Sequence, residues 1–164
     1  MKIQLKNVKI NDSFSEETIC FKADVFVNGK KIAYAENEGR GGCTFIGAYP
    51  EKRSELAELE KYCKSLPKRV YDFGEFDNDL ESVVDDLLNE KMKEKEQKKI
   101  DKLCLTSIVY GVPGGISYSY IGFKGKPKLE DIKKTAQGQK ALENLVKKVK
   151  SELGKGQVIF NTNI

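Results

Sequence analysis

The chain contains no histidine, and that absence excludes more chemistry than any motif in it supplies. Histidine is the usual base for Ser and Cys nucleophiles and the commonest metal ligand. Ser–His–Asp and Cys–His mechanisms are therefore excluded, together with the common zinc hydrolases. Carboxylate, lysine or tyrosine acid–base chemistry remains, or a carboxylate-bound magnesium ion. The four cysteines, Cys20, Cys43, Cys63 and Cys104, are spaced 23, 20 and 41 residues apart with no CxxC pair, a pattern that offers no metal-ligand spacing. No apolar run approaches the roughly 18 residues of a membrane span. The N-terminus, MKIQLKNVKIND, alternates charge with aliphatics and lacks the apolar block of a signal peptide. These absences predict a cytoplasmic protein with reduced, packed cysteines, no membrane association, no cofactor and no bound metal.

What is present reads as one α+β domain over residues 1–164. At 164 residues and 18.5 kDa the chain is long enough to bury most of its apolar surface. Ile3 and Leu5 alternate with polar residues, the phase slips near Asn7, and Val8 and Ile10 resume it, which suggests a bulge or a strand end. ICFKADVFVNGKKIAYAE places two alternating runs around Asn28-Gly29, the pair favoured in two-residue hairpins because both positions take positive φ. Setting Val27 opposite Lys30 pairs Val25 with Ile32 and Ala23 with Tyr34 on a buried face. Ala33 and Ala35 then fall on the solvated face. CTFIGAY supplies a further strand of the meander.

Pro50 opens a helix carrying Leu56, Leu59, Cys63 and Leu66 at helical spacing, and Pro67 ends it. A connector, PKRVYDFGEF, forms the weakest seam, at residues 67–77. A second helix starts at Asn78, with Asn78 and Glu81 as a capping box and Leu80, Val83, Val84, Leu87, Leu88 and Met92 as its stripe. The run KMKEKEQKKIDK reads as its solvated end. LCLTSIVYG and ISYSYIGF make a later hairpin about Pro113-Gly114-Gly115. Helical text from Leu129 to Leu153 is interrupted by Gly138, giving two helices or one kinked one. Gly154 is expected as a left-handed cap, and QVIFNTN as a last strand. The order lacks a βαβ rhythm, so the expected architecture is a mostly antiparallel sheet, the N-terminal meander plus the later hairpin, with about three helices on one face.

Charge is divided. Residues 50–90 hold 6 basic and 12 acidic side chains, a net of −6, whereas residues 124–155 hold 10 basic and 4 acidic, a net of +6. Either these helices attract each other across the surface, or the basic one meets a polyanionic partner.

ENEGRGGCTF, residues 36–45, is the stretch most open to a functional reading. Its glycines at 39, 41 and 42 fit neither a Walker loop nor G-x-G-x-x-G, and strand text follows where a helix is needed. Three readings remain: a meander turn, a partner contact, or an anion nest of backbone amides helped by the Arg40 guanidinium, which Glu36 and Glu38 oppose. Cys43 lacks a proton shuttle and is expected to pack in a strand. Tyr118 and Tyr120 share a strand face with Ile116, near the lysines of KGKPK, in the general layout that stacks single-stranded bases or, more commonly, fills a core. Asp77, Asp79, Glu81, Asp85 and Asp86 are explained by the helix dipole rather than by magnesium. The candidate binding residues are therefore Asn37, Gly39, Arg40, Gly41, Gly42, Tyr118 and Tyr120, with no catalytic residue.

VNGKKIAYAENEGRGGCTF, with LKNVKI before it and a closing VIFNTN, resembles small uncharacterised proteins of bacterial phages and mobile elements, chiefly over residues 1–66. The resemblance implies a bacterial or phage cytoplasmic setting and an accessory or host-interaction role. It transfers no catalytic residues. The expectation is a non-enzymatic module that binds another macromolecule, a protein of the host or a second copy of itself. The alternatives are a small-ligand or nucleotide-phosphate binder at Gly39–Gly42 and Arg40, and nucleic-acid binding through the basic C-terminal helix.

Overall fold

The computed structural model describes residues 1–115 and 117–164, and its contacts gather into two compact units, Met1–Met92 and Lys93–Ile164. The class is α+β with antiparallel pairing throughout the described sheets. No helix of the described residues is long and apolar enough to cross a membrane.

In the first unit, β1 (Ile3–Ile10), β2 (Phe21–Val27), β3 (Lys30–Asn37) and β4 (Phe45–Ala48) form a sheet in sequence order. The slip at Asn7 is a bulge: Asn7 has φ +52°, and the register shifts between Lys6 and Lys9. Asn28 and Gly29 turn the hairpin with φ of +49° and +83°. Val27 faces Lys30 as expected, but the register then departs from the expected one. Phe26 pairs with Lys31 and Val25 with Ala33, so Ile32 is an extra residue on β3 and every later pair moves by one. Ala33 and Ala35, not Tyr34, share the buried face with Ala23 and Val25.

That exchange has a packing reason. α1 (Arg53–Lys64) and the start of α2 (Leu80–Cys104) bring Leu59, Cys63, Leu80, Val84 and Leu88 against this face. Alanine methyls let helices approach where a tyrosine ring would hold them off. Tyr34 instead lies on the opposite face beside Gly47, with Phe45 and Tyr49 at ring-centroid distances of 5.9 and 6.0 Å.

The stretch 67–77, expected as a seam, is a small hairpin, β5 (Arg69–Tyr71) and β6 (Gly74–Phe76). The division between units falls inside α2, after Met92. The cap of α2 lies one residue later than expected: Asp79 Oδ1 accepts from Ser82 N–H at 2.7 Å. Asn78 serves the preceding chain, accepting from Arg69 Nε at 3.0 Å and donating to the Pro67 carbonyl at 2.7 Å.

In the second unit, β7 (Ser107–Gly111) is the middle strand between β8 (Tyr118–Gly122) and the short β9 (Val158–Ile159). Leu103 and Cys104 belong to α2 rather than to the strand. α3 (Leu129–Ile132) and α4 (Ala136–Glu152) are separate helices, broken at residues 133–135 and not at Gly138. Thr135 caps α4 by accepting from Gly138 N–H at 3.0 Å. A side chain at Gly138 would meet the Ile132 carbonyl at 2.0 Å, so glycine there serves a close chain approach. Left-handed backbone after α4 falls at Gly156, φ +78°, and not at Gly154. Ile108, Leu129, Leu142 and Val149 form this unit's core.

The last strand is cut short by a side chain. Phe160 N–H still donates to the Val109 carbonyl at 2.8 Å, but Val109 N–H donates to Asn161 Oδ1 at 2.7 Å. Asn161 Nδ2 reaches the carbonyls of Ser107 and Cys104 at 2.9 and 3.1 Å, so one amide group continues the ladder in place of backbone.

Candidate interaction site at the glycine turn

Asn37 ends β3 and starts the turn. Its Oδ1 accepts from Gly39 N–H at 2.8 Å, and its Nδ2 donates to the Gly42 carbonyl at 2.8 Å, a local pattern that asparagine favours. Gly39 has φ +87° and is buried. Its carbonyl accepts from the N–H groups of Glu16, Glu17 and Thr18 at 2.9, 3.0 and 3.3 Å. A Cβ at Gly39 would stand 2.1 Å from the Phe14 carbonyl, so the turn is seated on the segment joining β1 to β2.

Thr18 locks the two together: its hydroxyl donates to Asn37 Oδ1 at 2.8 Å and accepts from Gly41 N–H at 3.2 Å. At the far end, buried Thr44 donates its N–H to Glu81 Oε1 at 2.8 Å and its hydroxyl to Asp85 Oδ1 at 2.7 Å. Burial pushes the Asp85 carboxyl above its ordinary value, the Thr44 hydrogen bond opposes this, and Glu81 and Asp86 add to it by repulsion.

The structure thus brings Asn37, Gly39, Arg40, Gly41 and Gly42 into one clamped turn. The amides of Gly39 and Gly41 already have acceptors within the chain. A Cβ at Gly41 would stand 2.3 Å from Glu17 Oε2, so a carboxylate lies beside the turn. Both features work against an anion cradle. Outward-facing groups include Glu38, Arg40, Cys43, Phe14 and Phe45, the two rings being 55% and 57% exposed. Arg40 lines two adjoining shallow grooves, one reaching Phe14 and Lys22, the other Cys43 and Phe45. Glu36, between them, pairs with Lys22 at 3.0 Å.

Cys43 lies outside β4 and is exposed, contrary to the expectation that it packs in a strand. All four thiols are free; Cys63 is buried in the core, where desolvation first, and Asp79 and Glu60 after it, push its thiol up. Tyr118 and Tyr120 lie on β8 and belong to the second unit, whereas the turn belongs to the first. Tyr120 is 57% exposed, whereas Ile121 and Phe123 join the core. Tyr118 is half-buried, and burial together with the Glu96 carboxylate raises its phenol. Ile116, expected to share their face, lies outside the described residues.

The acidic run is divided among separate tasks rather than pooled. Asp79 caps α2, Glu81 and Asp85 hold Thr44, and Asp86 pairs with Arg69. Among the described residues no group of three or more His, Cys, Asp or Glu is placed to hold a metal. Thr18, Thr44, Phe14 and Phe45 carry no local sign of their part in the site, because their partners lie far along the chain. Asn37 does carry one: an asparagine two residues before a glycine is an Asx-turn pattern. In comparisons with known proteins the chain matches no family model, no curated protein and no solved structure.

Proposed function

We propose that this chain is a non-enzymatic binding module that contacts another protein through the surface around the glycine turn. The observation that carries the reading is a turn clamped at both ends, at Asn37 and Thr44, that presents Arg40 between two exposed phenylalanines. Arginine and aromatic residues are enriched where interfaces draw their energy. A turn already held by hydrogen bonds loses little further freedom on docking. A cytoplasmic setting in a bacterium or phage belongs to the same proposal and rests on the resemblance of residues 1–66.

The test is site-specific photo-crosslinking in bacterial cells, with the reactive group at Phe45 and a control at exposed Glu58. A discrete adduct at position 45, absent at 58 and reduced about tenfold or more by Arg40→Glu, supports the proposal. An adduct indifferent to Arg40→Glu, or none at all, overturns it. A thermal shift with nucleotides or phosphorylated metabolites that Arg40→Ala abolishes would favour a small-ligand site instead.

A further inference from the structure

A second pair of surfaces, the β5–β6 hairpin of the first unit and a groove of the second, matches in apolar character and in charge. The β5–β6 hairpin carries three aromatic rings in mutual contact: Tyr71 and Phe73 are stacked at 5.3 Å, and Phe76 meets them edge-on at 5.8 and 5.7 Å. They are nevertheless open to solvent, Phe73 80%, Phe76 48% and Tyr71 43% exposed, with Val70 beside them at 75%. The hairpin is not loose. Arg69 at its base donates to Asn78 Oδ1, the Tyr71 hydroxyl and the Ser82 carbonyl, each at 3.0 Å, and pairs with Asp86. Stacking shields one side of each ring, but a held cluster of rings with this exposure has the character of an interaction surface. The charged residues beside the rings at the tip and on β6 are acidic, Asp72 and Glu75, whereas Asp77 pairs with Lys68 at 3.7 Å and Arg69 on β5 is taken up by Asp86.

The second unit has an open groove of about 620 Å³ between α4 and the C-terminal segment. Its floor is apolar, with Leu142, Val146 and Ile159, and its rim carries Lys133, Lys147 and Lys150. Against these lysines the described lining has one acidic side chain, Glu143, and Lys133 also donates to the Asn163 carbonyl. The volume falls in the range of roughly 300–1,000 Å³ that receives a buried group of several rings. An acid-flanked aromatic knob and a lysine-rimmed apolar groove thus occur on one chain.

We infer that the occupant of the groove is the aromatic hairpin of a second copy of this chain. The observation behind it is the double match, apolar to apolar and acid to base. It follows the wider division of charge, −6 over residues 50–90 and +6 over residues 124–155. Area sets the form of the assembly. Aromatic side chains bury about 150–250 Å² each, so the exposed parts of the three rings supply on the order of 350 Å². One such contact falls short of the roughly 800 Å² per partner of a stable interface. Two reciprocal contacts, each protomer giving its hairpin and receiving the other's, approach it and close the assembly as a two-fold pair.

Sedimentation velocity of the full chain tests this. The expected result is a monomer–dimer equilibrium whose dissociation constant rises at least about tenfold on Phe73→Asp, a change at an exposed position, and also on Lys147→Glu with Lys150→Glu. Circular dichroism confirms that each variant is folded. Combining the two lysine reversals with Asp72→Lys and Glu75→Lys in one chain restores association, since both sides then change sign together. A chain that stays monomeric at about 100 µM, a dimer indifferent to Phe73→Asp, or a doubly reversed chain that fails to recover would each overturn the inference.

Discussion

Asp24 lies on the sheet face away from the helices and is mostly shielded from water. It accepts from Asn7 Nδ2 at 2.7 Å and Tyr49 Oη at 3.1 Å and pairs with Lys31 at 2.9 Å. Burial alone would raise its pKa; the hydrogen bonds from Asn7, Lys31 and Tyr49, with the Lys31 charge, outweigh it and hold the carboxyl below its ordinary 3.8. A depressed carboxyl stabilises the fold above its unfolded pKa and loses that contribution as pH falls through its folded value. Asp24→Asn is therefore expected to cost about 1–2 kcal/mol at neutral pH. Chemical-denaturation midpoints should show the difference from wild type shrinking below pH 3.8. A difference that stays constant with pH would exclude an ionised Asp24 as the cause. The sequence marks the bulge that aims Asn7 at Asp24 through its slipped alternation. It carries no mark of the pairing itself, which joins positions 17 residues apart.

At the scale of elements, the β5–β6 hairpin shows how a short segment is held by a neighbour. A two-stranded hairpin is marginal in water, and this one turns its rings outward. Arg69 supplies the missing anchorage by tying the first strand to Asn78, Ser82 and Asp86 at the start of α2. Arg69→Ala is expected to cost roughly 1–3 kcal/mol, the range for hydrogen bonds to a charged group in a shielded site. Hydrogen exchange should show the loss first at residues 69–76. Unchanged protection there would mean the rings alone hold the hairpin. In sequence the segment passes for a connector: runs of three residues are too short for alternation to register, and exposed aromatics break the pattern by which strands are recognised. The bulge at Ile32 escapes for a related reason. Alternation places Ile32 and Tyr34 together in the core; Ile32 is buried, but the close approach of α1 and α2 puts Ala33 and Ala35, not Tyr34, on the covered face.

For the molecule as a whole, burial is divided between two cores with no member in common, one in each unit. Leu129 is fully buried in the second core. Leu129→Ala is expected to cost about 2–5 kcal/mol, from the lost transfer energy and the cavity left behind. Hydrogen exchange should place the larger loss of protection in residues 93–164. Equal loss in both units would mean that the two cores open together. Chain order and periodicity alone determined the α+β class, the strands β1 to β4, the hairpin at Asn28-Gly29 and the exclusion of imidazole chemistry, because these depend on residue type and on neighbours within a turn or two. Tertiary structure decided which face of β3 is buried, where α2 is capped, how the glycine turn is clamped between Thr18 and Thr44, and that the rings of residues 71–76 stay outside. Each of these is a competition among groups distant in the chain for the same space or the same hydrogen bond, and only the folded arrangement sets the winner.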